Sequence, residues 1–226
     1  MARARDTDAC PGALQVHQAA DGALVRVRLP GGRIAAAQLG VLAEASTRFG
    51  SGTLELTSRG NVQLRGITEV ATVASAIAEA GLLPSATHER VRNIVASPLS
   101  GRAGGNTDVR DWVDELDAAI CAEPRLAGLG GRFWFSLDDG RGDVSGLAAD
   151  VGVHVYDDGC ALTLAGRDTG MRVSDVTATL VRMARRFTEI RGKHWRITEL
   201  ADLDALLPGT RPGAAFPPVT TRRWAG

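Results

Sequence analysis

The chain has 226 residues, with 26 basic and 26 acidic side chains and 44% hydrophobic residues. This composition excludes a wholly disordered chain and allows one large domain or two small ones. No run approaches the roughly 18 apolar residues of a membrane span, and the balanced charge argues against nonspecific binding to nucleic acid. The basic N-terminus is not followed by the apolar stretch of a secretory signal. We therefore expect a cytoplasmic protein without membrane or nucleic-acid partners.

The first part of the sequence predicts two helices and three strands. After an irregular lead-in over residues 1–22, residues 23–29 alternate, with valines on one face and Arg26 and Arg28 on a cationic outer face. A helix is expected over 34–49, two strands with Leu54 and Leu56 pointing inward and a turn at 58–61 follow, and a second helix ends near Gly81. The order β-α-β-β-α predicts one unit over residues 23–83.

The rest of the sequence predicts a second α+β unit over residues 84–207. It has a helix lined by Val109, Val113 and Ile120, capped by Asn106 or Thr107. An alternating strand over 132–137, a hairpin between 151 and 164, and a long helix capped by Ser174 follow. Residues 208–226 hold several prolines and are predicted to be a linker-like tail.

The cysteines limit the redox chemistry. Cys10, Cys121 and Cys160 are far apart in the sequence, and three thiols cannot supply the four ligands of a cubane iron–sulfur cluster. The four histidines show no metal-ligand spacing, and no phosphate-binding loop or hydrolase motif is present. The residues alone indicate an α+β protein with arginines at strand ends and turns.

Three stretches, at 29–34, 56–67 and 90–98, resemble the ferredoxin-like half domain of sirohaem-dependent nitrite and sulfite reductases. The Cys10-Pro11-Gly12 stretch, residues 97–102 and residues 132–140 resemble the precorrin-3B synthase branch of this superfamily. The resemblance implies a ferredoxin-like half domain followed by a second α/β domain of the sirohaem reductase type. It also implies an oxidoreductase that holds a tetrapyrrole rimmed with carboxylates.

The resemblance implies a set of cofactor-binding side chains. Basic residues at the family's motifs surround the anionic substrate and the sirohaem carboxylates, and planar guanidinium groups suit such ligands. The implied residues are Arg59, Gln63, Arg65, Arg92, Asn93, Arg132 and Trp134. Trp134 stands where the reductases have a lysine, a departure that suits a bulky flat ligand. The alternative for Arg59 and Arg92 is a salt bridge to a local carboxylate, such as Glu55 or Glu89.

The resemblance also has consequences for partners. The family's full chain has two repeats, and the second carries the four cysteines of a [4Fe–4S] cluster. This sequence is similar to the N-terminal repeat, so a cluster requires a partner that supplies the cysteines. A single half domain leaves a sheet edge open, which predicts a homodimer or a heterodimer with a cluster-bearing second half.

Two other functions stay open beside the enzyme half. One is a homodimer without catalysis that binds sirohaem, haem or a related tetrapyrrole as a carrier or sensor, for which Arg26, Arg28 and Arg65 would serve equally well. The other is a degenerate family member that folds but has lost its function.

Overall fold

The computed structural model describes residues 8–207, and these residues form two β-sheets with helices packed against each. Residues 1–7 of the predicted lead-in and the predicted tail at 208–226 lie outside the described residues. The α+β class predicted from the sequence is confirmed. No helix between residues 8 and 207 has the length and apolarity needed to cross a membrane.

The first sheet is antiparallel, with strand order β1-β2-β4-β3. Its elements are β1 (His17–Ala19), β2 (Gly22–Val27), α1 (Ala36–Phe49), β3 (Leu54–Leu56), β4 (Val62–Ile67) and α2 (Val70–Glu79). Valines on alternate positions of β2 meet Leu64 of β4 and the apolar sides of α1 and α2, where Leu42 and Ile77 are fully buried. This period-two burial leaves the opposite sheet face for the polar residues.

The second sheet has the order β5-β6-β7-β8-β9, with β5, β6 and β7 parallel and β8 and β9 antiparallel. Its elements are β5 (Ile94–Ala96), α3 (Arg110–Ala122), β6 (Phe135–Asp138), β7 (Val151–Tyr156), β8 (Gly159–Leu164), β9 (Arg167–Val173) and α4 (Val176–Ile190). Phe133, Phe135 and Phe187 form the aromatic centre of this core, with ring centroids 5.2 Å apart in each contacting pair.

Several predicted details differ from the structure. Leu56 is 83% exposed because β3 is the edge strand of its sheet, so the inward placement predicted for it is wrong. The cap of α3 is Val109, whose N–H donates to Ser100 Oγ, and not Asn106 or Thr107. The cap of α4 is Asp175 and not Ser174, because the Asp175 carboxylate accepts the Ala178 N–H.

Three strands are additional to those predicted. β1 lies within the lead-in that was expected to be irregular, and β5 lies in a stretch with no clear pattern. β1 and β5 have only three residues each, too few to show a period. β9 carries Gly170 and a mixture of charged residues, and its pairing with β8 rather than its own sequence makes it a strand.

Candidate anion-binding site

Two buried asparagines connect the three sequence stretches at 29–34, 56–67 and 90–98. Asn61 Oδ1 accepts the Leu29 N–H at 2.9 Å, and Asn61 Nδ2 donates to Asn93 Oδ1 at 3.4 Å. Asn93 Nδ2 in turn donates to the backbone oxygens of Arg90, Gly131 and Phe133. The predicted ligand-binding residue Asn93 is therefore a junction between segments, 1% exposed and bonded within the protein.

The turn between β3 and β4 holds Arg59 above the polar face of the first sheet. Thr57 accepts the N–H groups of Gly60 and Asn61, and Gly60 takes a φ of +69°, which a glycine adopts without strain. Arg59 Nη1 donates to the Gly131 carbonyl at 3.2 Å, and its guanidinium lies 5.5 Å from the centre of a Trp134 ring. No carboxylate among the described side chains forms an ion pair with Arg59.

Arg26 of β2 and Arg28, just after the end of β2, lie near the same region. Arg28 is only 2% exposed, so the outer, solvent-facing position predicted for it is wrong. Its Nε donates to the Arg90 carbonyl and its Nη2 to the Pro11 carbonyl, both at 3.3 Å. Arg26 Nη2 donates to Gln63 Oε1 at 2.8 Å. We call Arg26, Arg28 and Arg59 the arginine cluster.

Unsatisfied N–H groups mark this site. Among the described residues, the buried side-chain polar atoms without a hydrogen-bond partner are Arg26 Nε, Arg28 Nη1 and Trp134 Nε1. All three are donors, and all three belong to the arginine cluster or to the tryptophan beneath Arg59. A buried donor without an acceptor is unfavourable, so the set points to a ligand that offers acceptor oxygens.

The electrostatics of the arginine cluster agree with this geometry. Burial, together with the neighbouring charges of Arg26 and Arg59, lowers the pKa of Arg28 to about 10. Burial and the charge of Arg196 likewise lower the pKa of Arg59. The guanidinium groups remain charged near neutral pH and repel one another. An anion between them would relieve both the repulsion and the lost hydration.

Trp134 is fixed by a buried ion pair. The Asp150 carboxylate accepts the Trp134 backbone N–H at 3.1 Å and pairs with Arg196 at 2.7 Å. Burial raises the pKa of Asp150, although Arg196 and backbone N–H groups oppose this shift. The Arg196 guanidinium lies 5.9 Å from the centre of a Trp134 ring, so Trp134 has cationic groups from Arg59 and Arg196 over its rings.

Two other predicted ligands lie beside the arginine cluster and are held by Glu55. Arg65 Nε donates to Glu55 Oε1 at 2.8 Å, and Gln63 Nε2 donates to the same carboxylate. The amide of Gln63 thereby connects Glu55 to Arg26.

The last two predicted ligands have contrasting surroundings. Arg92 is 5% exposed and makes a bidentate pair with Asp117, at 2.7 and 2.6 Å. Arg132 is exposed, and no hydrogen bond or ion pair joins its side chain to any group that the structure describes. The alternative of a salt bridge to a carboxylate describes Arg92, whose partner is Asp117 rather than Glu89, but no such pair is found for Arg59 among the described side chains.

Residues 8–15 cover the arginine cluster, and we call them the covering segment. The Glu89 carboxylate accepts three consecutive N–H groups of this segment, those of Ala13, Leu14 and Gln15, at 2.6 to 2.9 Å. Asp8 accepts the Gly131 N–H at 2.6 Å and lies 3.4 Å from Arg90. The segment thus joins the two units over the site.

Some site residues carried no sequence signal of their role. Asp8, Asp150 and Arg196 lie far apart in the chain and in no motif, and only the tertiary fold brings them near Trp134 or the arginine cluster. The strand alternation singles out Arg26 and Arg28 as polar-face residues. It does not predict their burial, because nothing in the sequence of the covering segment indicates that this segment lies over them.

Comparison with known proteins identifies the first unit. Residues 17–80 match the model of the nitrite/sulfite reductase ferredoxin-like half domain. Residues 17–80 are such a half domain. It contains the whole first sheet and both of its helices, and so it supplies all three arginines of the cluster.

Relatives extend the likeness beyond the half domain. The chain is 34% identical over 138 residues to a precorrin-3B synthase from Sinorhizobium sp, covering 55% of this chain and 29% of the relative. It is 37% identical over 82 residues to a ferredoxin–nitrite reductase from Leptolyngbya laminosa, covering 34% of this chain and 16% of the relative. Both matches span less than a third of the relative's length.

A solved structure shows the same fold over both units. The Mycobacterium tuberculosis NirA protein superposes with a TM-score of 0.60 and 21% identity, covering 74% of this chain and 34% of that chain. The predicted arrangement of a half domain followed by a second unit of the sirohaem reductase type is confirmed at the level of the fold.

Proposed function

We propose that the arginine cluster and Trp134 bind the carboxylates and ring of a tetrapyrrole, within an oxidoreductase of the precorrin-3B synthase or nitrite/sulfite reductase type. The observation that carries this proposal is the set of unsatisfied buried donors, Arg26 Nε, Arg28 Nη1 and Trp134 Nε1. Carboxylates would supply the missing acceptors, and the relatives whose names describe such enzymes support the choice of ligand class.

The residues fit such a ligand in kind as well as in charge. Arg59 and the exposed Arg132 offer guanidinium groups free of carboxylate partners in the described structure. Trp134 offers an indole beneath Arg59, and flat aromatic ligands stack on such groups. A bound metallotetrapyrrole would supply electron transfer at its metal, while this chain's residues would bind and orient the ring. Arg92 would need to leave Asp117 to take part directly.

The chain's own cysteines do not fit a [4Fe–4S] cluster. Cys10 lies in the covering segment, Cys121 on α3 and Cys160 on β8, and all three are free. A cluster in the working enzyme would require cysteines from a partner, either a cluster-bearing second half or another chain.

Absorption spectroscopy on protein purified without air tests the proposal. We expect added sirohaem or haem to give a saturable Soret band at one equivalent. Iron with acid-labile sulfide in a complex with a partner would support the enzyme half, and a Soret band without sulfide would support the carrier or sensor. A protein that binds no added tetrapyrrole would contradict both and favour a degenerate family member.

The Arg59→Ala variant tests the site assignment. Loss of a charge-assisted contact costs about 1.5–3 kcal/mol, so the tetrapyrrole Kd should rise roughly ten- to hundredfold. Arg167→Gln, an exposed arginine on β9, is the matched control and should bind like the unmodified protein. Unchanged affinity in Arg59→Ala would show that Arg59 is not part of the site.

A further inference from the structure

We propose that Cys10 is a site of mixed-disulfide formation with small anionic disulfides, the class to which glutathione disulfide belongs, and that the arginine cluster selects them by charge. The inference rests on the anion-binding character of the proposed site and not on its binding a tetrapyrrole. A Cys10 adduct would occupy the same donors as the tetrapyrrole carboxylates, and the site would then respond to the thiol–disulfide balance.

The fold places Cys10 against the arginine cluster. A Cβ added to Gly131 would come within 2.6 Å of Cys10 Cβ, so the two residues are in close contact. The Gly131 carbonyl accepts a hydrogen bond from Arg59, and the carbonyl of Pro11, directly after Cys10, accepts one from Arg28. Backbone on either side of the thiol therefore holds two of the three cluster arginines.

The charges around the thiol are mostly positive. The guanidinium groups of Arg26, Arg28, Arg59 and Arg132 and the Asp8 carboxylate lie close enough to act on it, and Asp8 Oδ1 accepts the Cys10 backbone N–H at 3.0 Å. Cationic surroundings concentrate anionic reagents and repel cationic ones. Burial and Asp8 raise the pKa of Cys10, so selection of the reagent by charge, rather than an unusually reactive thiolate, is the property that distinguishes this thiol.

A buried donor next to Cys10 points to an anionic ligand. Arg28 is 98% buried, since only 2% of it is exposed, and its Nη1 has no acceptor, although its other two nitrogens donate to carbonyls beside Cys10. A carboxylate tethered through Cys10 can supply that acceptor. The covalent bond would hold the anion there without the entropic penalty of free association.

The chemistry is ordinary thiol–disulfide exchange. The Cys10 S–H gives up its proton to solvent, and the thiolate attacks one sulfur of the disulfide. One S–S bond forms at Cys10 and one breaks in the reagent. Cys10 is oxidised, and the departing half leaves as a thiolate that takes up a proton.

The two remaining cysteines serve as internal controls. Cys160 is buried, and burial raises its pKa to about 11, so it should react slowly with any disulfide. Cys121 lies beside Asp117, which together with burial raises its pKa, and the nearby Arg92 is already paired with that carboxylate. Cys121 therefore lacks the excess of unpaired arginines that surrounds Cys10.

The experiment compares two disulfides of opposite charge. The full chain is treated at neutral pH and low salt with anionic glutathione disulfide or cationic cystamine, and adduct formation is followed by peptide mass spectrometry. The measured quantity is the rate with glutathione disulfide divided by the rate with cystamine. This ratio should be roughly tenfold higher at Cys10 than at Cys121, and high salt should remove most of the difference. Equal ratios at the two cysteines, or a Cys10 preference that salt leaves unchanged, would overturn the proposal.

Variants separate charge selection from accessibility. Arg132→Gln removes an exposed guanidinium that has no partner among the described residues and should lower the Cys10 ratio severalfold, whereas Arg167→Gln should leave it unchanged. An unchanged ratio in Arg132→Gln would count against the charge argument. Charge-selective labelling of Cys10 in a protein that binds no tetrapyrrole would refute the proposed function but support this inference. Tetrapyrrole binding without charge-selective labelling of Cys10 would refute only this inference.

Discussion

A guanidinium that leaves water without gaining a carboxylate loses hydration that its new contacts only partly replace. Arg28 is in this position, with two hydrogen bonds to carbonyls and a third nitrogen unsatisfied. Its lowered pKa expresses the same imbalance. Buried polar groups are normally satisfied, so the exception at Arg28 marks a binding site more specifically than the abundance of arginine in the chain does.

Arg92 shows the opposite case at the residue scale, a buried arginine with a complete partner. Replacing Asp117 with Asn leaves the Arg92 charge unpaired, and we expect the free energy of unfolding to fall by about 3 kcal/mol. Urea denaturation measures this, with Asp114→Asn as the control, because Asp114 pairs with Arg33 on the surface. Equal effects of the two substitutions would show that Arg92 does not depend on Asp117.

Asp138 predicts an acid dependence of stability. Burial alone would raise its pKa, but His154 and the N–H groups of Gly142, Val144 and Ser145 outweigh burial and lower it. A carboxyl group whose pKa is lower in the folded state than in the unfolded state stabilises the protein at any pH above the unfolded-state pKa. This contribution is lost as the pH falls from about 4 downward.

The Asp138→Asn variant tests this dependence. It should be less stable than the unmodified protein at neutral pH, and the difference should shrink below about pH 4, where the unfolded carboxyl becomes protonated. Chemical denaturation over a pH series gives the measurement, and Asp21→Asn, on an exposed aspartate, is the control. A difference that stays constant across the series would contradict the assignment.

At the scale of elements, the covering segment is held mainly by side-chain carboxylates rather than by a strand or helix. Glu89 accepts three of its N–H groups, and Asp8 joins it to Gly131. Such a segment can open locally at lower free energy than the sheets beneath it. Access of a ligand to Arg28 therefore depends on this segment, because its Pro11 carbonyl bonds to the guanidinium.

Hydrogen exchange on a Glu89→Gln variant tests the role of this carboxylate. Loss of the charged acceptor weakens three hydrogen bonds, so the amides of Ala13, Leu14 and Gln15 should exchange at least roughly tenfold faster. Glu79→Gln, at the exposed end of α2, should leave those amides unchanged. Unaltered protection in Glu89→Gln would show that other contacts hold the segment.

The elements also show how far the sequence predicts the fold. The alternation around Val25 and the helical stripe around Ile77 predict burial correctly, because each depends on a period within one element. The exposure of Leu56 and the burial of Arg28 could not be predicted from a period within one element. Leu56 is exposed because β3 lies at a sheet edge, and Arg28 is buried because the covering segment lies over it. Of the predicted site, the turn position of Arg59 agrees with the structure, whereas the Arg92–Asp117 pair has no sequence signal.

For the whole molecule, we propose assembly through the open edge of the first sheet. β3 is an edge strand, and Leu56 on it is 83% exposed, an arrangement that favours pairing with another chain. The partner in this proposal is a second copy or a cluster-bearing second half, and isologous homodimers are the commonest assemblies.

Size-exclusion chromatography with light scattering measures this assembly. For the isolated chain we expect twice the chain mass of 23.7 kDa, and Leu56→Arg should shift the equilibrium toward the monomer by placing a charge in the contact. Leu147→Arg, an exposed leucine outside the first sheet, is the control. A monomer at micromolar concentration would contradict the homodimer.

We propose that the unsatisfied donors of Arg26, Arg28 and Trp134 bind the carboxylates of a tetrapyrrole. The most direct measurement compares haem with its dimethyl ester, which keeps the ring and removes both negative charges. If carboxylates provide the missing acceptors, haem should bind with a Kd at least roughly tenfold lower than the ester, since each charge-assisted hydrogen bond contributes about 1.5–3 kcal/mol. Equal affinity for haem and the ester would contradict the account.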